Sequence, residues 1–164
     1  EKLMPNLGNE ASVAATDIWL TPPYIIEALG QFDLDPCASE DRPWDTAQNH
    51  YTIKDDGLVQ PWLGRVWCNP PYGPKMGPFL NKLASHPEGG TALVFARTET
   101  RAFFDFVWDK ATAVLFLKGR LKFHKPNGEE GGPANSPSVL IAYGEKDADI
   151  LANCNLNGKY IRIR

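Results

Sequence analysis

The chain has 164 residues, and its composition of 43% hydrophobic, 23% charged and 11% aromatic residues fits one globular domain with its own core. This composition excludes a disordered, collagen-like or fibrous protein, and the formal net charge of −3 excludes a protein that coats nucleic acid by bulk charge. No apolar run approaches the roughly 18 residues that cross a bilayer, and residues 1–10 lack a signal-peptide pattern, so we expect an intracellular protein without a membrane partner.

The N-terminal part of the sequence predicts an arm, a short helix and a strand. Residues 1–16 are polar and lack periodicity, which indicates a flexible arm in front of one folded domain over 17–164. Thr21 precedes two prolines, a pattern typical of a helix start, and apolar residues share one face up to Gly30. Residues 32–35 alternate between apolar and acidic and predict a strand that runs into a turn.

Strands and helices alternate in the middle of the chain, after an irregular connection over 40–61. The predicted elements are strands over 65–68, 91–96 and 113–117 and helices over 75–85 and 100–110. Three prolines within residues 69–74 end the first of these strands. This alternation predicts an α/β fold with a mostly parallel sheet, whose ligands bind at the carboxyl ends of the strands.

The last third of the sequence predicts an antiparallel hairpin. Residues 120–123 and 138–143 are typical of strands, and six of the thirteen residues in the loop 125–137 between them are Gly or Pro. A polar stretch over 145–158 follows, and residues 159–163 are compatible with an edge strand.

The cysteines do not indicate a metal or disulfide framework. Cys37, Cys68 and Cys154 are odd in number and widely spaced, with no CxxC pair and no neighbouring histidine pair. We therefore expect neither a disulfide scaffold nor a metal site.

The segment Asn69-Pro70-Pro71-Tyr72 follows a predicted buried strand and carries the clearest chemical signal. The pattern is Asn, Asp or Ser, followed by two prolines and an aromatic residue. From average residue usage it arises by chance on the order of once in a few hundred chains of this length. A rigid proline turn is the structural alternative. The chemical interpretation is that the Asn69 carboxamide oxygen and the Pro70 carbonyl accept both protons of a flat amine such as adenine N6, while Tyr72 stacks on the base.

Five segments in this order resemble the phage-type Dam-like DNA adenine-N6 methyltransferases. They are D-x-W-x-T-P at 17–22, D-L-D-P-C-A at 33–38, D-D-G-L at 55–58, W-x-x-x-V-W-C-N-P-P-Y-G at 62–73 and G-R-L-K-F at 119–123. The resemblance covers most of residues 17–144. It implies a single-domain, seven-stranded Rossmann-like sheet and S-adenosylmethionine as the methyl donor. It also implies that the catalytic tetrapeptide, Asn69 to Tyr72 here, follows the fourth strand.

The resemblance assigns the methionine end of the cofactor to the turn after the first strand. The matching residues are Asp35, Pro36, Cys37 and Ala38. A carboxylate at a strand end can pair with an ammonium or a sulfonium, whereas the alternative is a turn carboxylate that caps the next helix. The usual glycine-rich loop is missing at this position.

Two further positions match cofactor motifs of the family. Thr21 and Pro22 match the motif that closes over the methionine part, and a plain helix cap is the alternative. Asp56 matches the acidic residue that accepts a hydrogen bond from the cofactor's adenine amine, with Asp55 as its rival. No clear acidic residue for the ribose hydroxyls stands out.

A basic sector indicates where DNA would lie. Residues 97–125 hold seven Lys or Arg and three acidic residues. The candidates for contacts with DNA phosphates are Lys118, Arg120, Lys122 and Lys125. A solvated strand edge is the alternative. We expect no separate target-recognition domain, so the loop 125–137 is the candidate for substrate contacts, with a disordered hairpin tip as the alternative.

These observations predict an S-adenosylmethionine-dependent DNA adenine-N6 methyltransferase that extrudes its target base. We expect it in the cytoplasm of a bacterial host, encoded by a phage or prophage, in the setting of restriction-modification. One alternative keeps the fold and changes the acceptor to cytosine N4, an RNA base or a protein amide. The other is a nonenzymatic nucleic-acid-binding relic of the fold.

Overall fold

The computed structural model describes residues 18–164, so the predicted arm over 1–16 lies outside the described residues. These residues form seven strands and four α-helices. The strands are β1 (Leu34–Asp35), β2 (Asn49–His50), β3 (Val66–Cys68), β4 (Gly90–Phe95), β5 (Ala113–Leu117), β6 (Ser138–Tyr143) and β7 (Gly158–Arg162). The helices are α1 (Pro23–Leu29), α2 (Met76–Ser85), α3 (Arg101–Phe103) and α4 (Glu145–Asn153). None of the helices in this part of the chain has the length and apolar character that a membrane crossing requires.

The strands form one mixed sheet in the order β2-β1-β3-β4-β6-β5-β7. β1 pairs in parallel with β2 and β3, and β3 pairs in parallel with β4. β6 runs antiparallel to both of its neighbours, β4 and β5, and β7 runs antiparallel to β5. The prediction of an α/β fold is confirmed, but that of a mostly parallel sheet is wrong. The reason is that β6 inserts in the opposite direction between two strands of the same direction, which makes the longest ladders antiparallel.

The predicted C-terminal hairpin is also wrong. Residues 120–123 form no strand, and His124 makes only isolated bridges to Leu20 and Glu130. β6 finds its partners in β4 and β5 because its six residues are all buried and need a neighbour on each side. The expected edge strand near the end of the chain is confirmed as β7.

Both faces of the sheet are covered, because successive side chains of a strand point to opposite faces. Val66 and Cys68 of β3 belong to the cluster under α2 and α3, whereas Trp67 belongs to the cluster under α1 and α4. The predicted helix over 100–110 is α only up to Phe103 and continues as a π-helix over Phe104–Trp108.

Helix α1 begins without a side-chain cap. Pro22 is its N-cap residue and makes no side-chain capping hydrogen bond, and Pro23 supplies the φ that the first turn requires. The helix ends at Leu29, and its C-cap residue Gly30 has a φ of 86°, which glycine adopts without strain. The proposed role of Thr21 as a plain helix cap is therefore wrong.

A buried ion pair closes the amino end of the sheet. The Arg65 guanidinium Nε lies 3.0 Å from Asp147 Oδ2, and the Thr91 hydroxyl donates to the same oxygen at 2.6 Å. Arg65 also donates to the Leu29 carbonyl at 2.8 Å and stacks on Phe32, with 3.9 Å between the guanidinium carbon and the ring centroid. This network joins α1, β3, β4 and α4.

Candidate active site

The predicted site residues meet at the opposite edge of the sheet, where the parallel strands end. β1 ends at Asp35, and β3 ends at Cys68, immediately before Asn69. Since β1 and β3 are neighbouring parallel strands, these ends lie side by side. Among residues 18–164 the tetrapeptide follows the third strand, β3, instead of the expected fourth. The segment between β2 and β3 forms loops around a short 3₁₀ helix, Gly57–Val59, instead of another strand.

Asn69 joins three segments that are far apart in the sequence. Its side-chain nitrogen, Nδ2, donates a hydrogen bond to the Thr21 hydroxyl at 3.3 Å. Its backbone carbonyl accepts a hydrogen bond from the Cys37 thiol at 3.2 Å. Its side-chain oxygen, Oδ1, accepts no hydrogen bond from the part of the chain that the structure describes, so it can accept one from a substrate amine.

The tetrapeptide runs from the core to the surface, where Tyr72 lies. Pro70 is buried, whereas Tyr72 is 49% exposed. The Tyr72 ring stacks on Phe95, with 4.7 Å between centroids and 17° between planes. One ring face is therefore covered by protein, and a base can stack only on the other. Burial raises the pKa of Tyr72 above its ordinary value, which keeps the phenol neutral.

Asp35 is a buried carboxylate that receives only neutral hydrogen-bond donors. Its Oδ1 accepts from the Cys37 backbone N–H at 3.1 Å, and its Oδ2 accepts from the Thr46 hydroxyl. No Lys, Arg or His of the described residues lies within 4.0 Å of it. Burial raises the pKa of Asp35 to about 6, against the lowering effect of these bonds and of Arg42. No helix follows the turn, so the helix-capping alternative for Asp35 is wrong.

Cys37 links the Asp35 turn to the end of β3 through its sulfur. Its Sγ lies 3.8 Å from Sγ of Cys68 as well as 3.2 Å from the Asn69 carbonyl. The neighbouring Cys68 thiol and burial raise the pKa of Cys37 well above its ordinary value. Cys37 therefore stays a protonated thiol at neutral pH, which is the form that can donate to a carbonyl.

The D-D-G-L segment lies directly on the Asp35 turn. A Cβ at Gly57 would come within 1.9 Å of the Pro36 carbonyl oxygen, so only glycine permits this approach. The carboxylate of Asp55 is occupied, since it accepts from the Thr52 backbone N–H at 2.8 Å. Asp56 has a φ of 56°, is exposed, and makes no side-chain hydrogen bond within the described ranges. Of the two rival carboxylates, Asp56 is the one whose oxygens are free.

Comparison with protein families identifies the family of the chain. The family model described as DNA N-6-adenine-methyltransferase (Dam) matches residues 8–157. The chain belongs to this family. The comparison with curated proteins and the comparison with solved structures found no match.

Membership of the Dam family makes this chain an enzyme that methylates the N6 amine of adenine in DNA. Transfer to cytosine N4, to an RNA base or to a protein amide is not favoured, and neither is a nonenzymatic binding role. Methyltransferases of this kind generally use S-adenosylmethionine.

The predicted DNA contacts of this Dam-family methyltransferase lie at the same edge as the tetrapeptide. β5 runs in the same direction as β4, because both are antiparallel to β6. The end of β5 therefore brings the basic sector to the edge at which β3 ends. All four predicted residues are exposed, namely Lys118, Arg120, Lys122 and Lys125. Arg120 donates to the Ala134 carbonyl at 3.1 Å, and the Lys125 ammonium lies 3.8 Å from the Glu129 carboxylate.

The loop over 125–137 packs onto the N-terminal part of the Dam-family domain. A Cβ at Gly128 would lie 3.2 Å from the Pro43 side chain, and one at Gly131 would lie 2.8 Å from the Trp19 ring. Arg97, which follows β4, donates to the Ser136 hydroxyl at 3.2 Å. The loop thus connects the segment before α1, the connection after β1 and the end of β4.

Two residues of the candidate site, Thr46 and Phe95, were not predicted from the sequence. Thr46 lies in a connection without periodicity, and Phe95 ends an apolar run that is typical of core. No local pattern marks Thr46, which lies eleven residues after Asp35. Phe95 could have been predicted, because it is an aromatic residue at the end of a strand next to the one that leads into the tetrapeptide. Two surface cavities have volumes of about 350 and 390 Å³, and neither is lined by a residue predicted from the sequence, although Thr46 lines the second. Within residues 18–164 no group of three or more His, Cys, Asp or Glu could hold a metal ion.

Proposed function

We propose that this methyltransferase binds S-adenosylmethionine beside the turn Asp35–Ala38 and transfers the methyl group to an adenine amine held by Asn69 and Pro70. The observation that carries the proposal is the direct contact among three segments. Asn69 reaches Thr21 with its side chain and Cys37 with its backbone carbonyl. A donor beside the turn would thus lie next to the group that accepts from the target amine.

The chemistry of the turn fits the cofactor. A buried carboxylate with no cationic side chain of the described residues within 4.0 Å suits a ligand that carries a sulfonium and an ammonium. When bound, S-adenosylmethionine supplies a methyl group on positively charged sulfur. Asp35 orients the methionine part, with Pro36, Cys37, Ala38, Pro22 and the Thr21 backbone around it. Asp56, whose carboxylate is free, accepts from the adenine amine of the cofactor.

The tetrapeptide holds the acceptor amine. The Asn69 Oδ1 and the Pro70 carbonyl accept its two protons, and this favours a more pyramidal nitrogen whose lone pair is aimed at the methyl group. The exposed face of Tyr72 stacks on the extruded base. Pro71, which is exposed, keeps the turn rigid between these two groups.

DNA lies along the basic sector in this proposal. Lys118, Arg120, Lys122 and Lys125 contact phosphates, and the loop over 125–137 contacts the substrate. Phage or prophage origin, a cytoplasmic location and a restriction-modification setting stay predictions from the sequence.

The experiment is incubation with radiolabelled S-adenosylmethionine and duplex DNA, single-stranded DNA, RNA or protein, followed by nucleoside analysis. We expect N6-methyladenine from DNA, and label found only in protein would contradict the proposal. Asn69→Ala should lower the transfer rate on the order of a hundredfold or more, since a preorganised acceptor is lost, while donor affinity stays near normal. Asn81→Ala is the matched control, because Asn81 is exposed and its side chain accepts a hydrogen bond from Lys110, which is far from the tetrapeptide in the sequence. If Asn69→Ala retained the full rate of methyl transfer, the tetrapeptide would be only a structural proline turn.

A further inference from the structure

Thr21 is held in a fixed position beside the tetrapeptide. On its N-terminal side, Leu20 exchanges two backbone hydrogen bonds with His124, at 2.7 and 2.9 Å. On its C-terminal side, Pro22 and Pro23 lead into α1, whose Ile25 is fully buried. Thr21 itself is 3% exposed. The hydroxyl is therefore presented from a backbone that is anchored on both sides.

The hydroxyl has one partner in the described residues, and that partner is the Asn69 amide. Nδ2 of Asn69 donates to Thr21 Oγ1 at 3.3 Å, while the helix that follows Thr21 has no side-chain cap. A carboxamide has a donor end and an acceptor end, and rotation by half a turn would exchange them. A flipped amide would present N–H groups to the amine that the site has to bind. In the observed orientation the bond to Thr21 occupies the donor end and leaves Oδ1 available, and loss of the hydroxyl would free the side chain to rotate.

We infer that Thr21 is a positioning residue that orients the Asn69 side chain for catalysis, through the hydrogen bond from Asn69 Nδ2 to its hydroxyl. This inference rests on the proposed function of Asn69. It gives the Thr21 side chain a task on the acceptor side of the site, distinct from closure over the methionine part of the cofactor. The Cys37 thiol restrains the backbone carbonyl of the same residue, so the two bonds together fix both halves of Asn69.

The test compares Thr21→Val, which replaces the hydroxyl by a methyl group of similar shape, with Thr21→Ser, which retains a hydroxyl. We expect Thr21→Val to lower the single-turnover transfer rate about tenfold, with an unchanged dissociation constant for S-adenosylmethionine. Thr21→Ser should restore most of the rate. In the Asn69→Ala background Thr21→Val should have no further effect, because the group that it positions is gone.

Thr46→Val serves as the comparison, since it is the same substitution at the hydroxyl that donates to Asp35. We expect it to weaken donor binding, which Thr21→Val should leave unchanged. An equal loss of donor affinity in Thr21→Val, with or without Asn69→Ala, would overturn the inference and make Thr21 a cofactor ligand.

A second readout does not depend on methyl transfer. In a nitrogen-15-labelled protein, Thr21→Val should shift the side-chain amide signals of Asn69 and speed their hydrogen exchange, and Thr21→Ser should leave them close to wild type. Unchanged Asn69 amide signals in Thr21→Val would overturn the inference. Absence of any methyl transfer by the wild-type enzyme, with the expected shift present, would instead overturn the proposed function alone.

Discussion

Each end of the sheet buries one aspartate, and the two carboxylates are completed in different ways. At the amino end Asp147 is 1% exposed and is bound by the Arg65 guanidinium and the Thr91 hydroxyl. At the carboxyl end Asp35 is 5% exposed, and within residues 18–164 its hydrogen bonds come from neutral donors only. The chain itself supplies a cation for the first carboxylate, whereas the second is left available to a positively charged ligand.

The strands that lead into the candidate site are shorter than those in the other half of the sheet. β1, β2 and β3 have two or three residues each, and their carboxyl ends lead at once into loops that hold the candidate site. β4, β5 and β6 have five or six residues and form the long antiparallel ladders. We conclude that the long ladders and the Asp147 network stabilise the fold, while the short parallel strands position the residues of the candidate site. Substitutions at the two ends should therefore affect different measurements.

The largest expected effect is on stability, at the amino end. Asp147→Ala removes the partner of a buried guanidinium and should lower the free energy of unfolding by about 3–5 kcal/mol. Donor affinity of the remaining folded protein should be unchanged. Chemical denaturation measures the first quantity and calorimetry the second. Asp149→Ala, on the exposed side of the same helix, is the control and should change stability little. If both variants lowered the free energy of unfolding equally, the Arg65–Asp147 ion pair would not be a main source of stability.

At the carboxyl end, Tyr72→Ala should act on the substrate and leave stability nearly unchanged. It removes a stacking platform worth roughly 1–3 kcal/mol per base, so capture of the extruded adenine should weaken by that amount. A fluorescent base analogue at the target position reports the effect, because it brightens when extruded and is quenched when stacked on an aromatic ring. Tyr24→Ala is a matched control, since Tyr24 is 53% exposed on α1. If the analogue is quenched in Tyr72→Ala as strongly as in the wild type, the extruded base does not stack on Tyr72.

A smaller and more distributed effect is expected from the basic sector. Joint replacement of Lys118, Arg120 and Lys122 should weaken DNA binding equally for all sequences and flatten its salt dependence by about one unit of slope for each lost phosphate contact. Binding titrations at several salt concentrations measure this slope. Lys146→Ala, at the amino end of the sheet, should leave it unchanged. A slope that survives the triple replacement would show that the basic sector faces away from DNA.

Local sequence patterns predicted the elements that bury continuous apolar runs. β3, β4, β5 and β6 could be located because their residues are nearly all apolar. β2 was not predicted, since Asn49 and His50 give no strand signal, and α4 lies in a stretch that is polar on most of its surface. Strand direction could not be predicted either, because the insertion of β6 between β4 and β5 depends on long-range pairing that no local pattern records.

The candidate site was predictable wherever chemistry and a short motif coincide. Asn69 and Asp35 stand at strand ends, and the structure brings them together as the order of the motifs suggests. The contacts that tune these residues were not predictable, because Thr21 and Thr46 approach them from segments that are distant or irregular.

The central claim is that the Asp35 carboxylate pairs with the positively charged methyl donor. Its most direct test is calorimetric titration of S-adenosylmethionine into the wild type and Asp35→Asn from about pH 5 to about pH 8. Asp35 has a pKa of about 6, so it is mostly ionised at neutral pH and becomes protonated, and unable to pair with a cation, as the pH falls through that value. We expect wild-type affinity to decrease below about pH 6, and Asp35→Asn to bind about tenfold to a hundredfold more weakly at neutral pH, without this pH dependence. The free energy of unfolding of Asp35→Asn should stay close to that of the wild type. Wild-type affinity and pH dependence in Asp35→Asn would contradict the account and place the donor away from this turn.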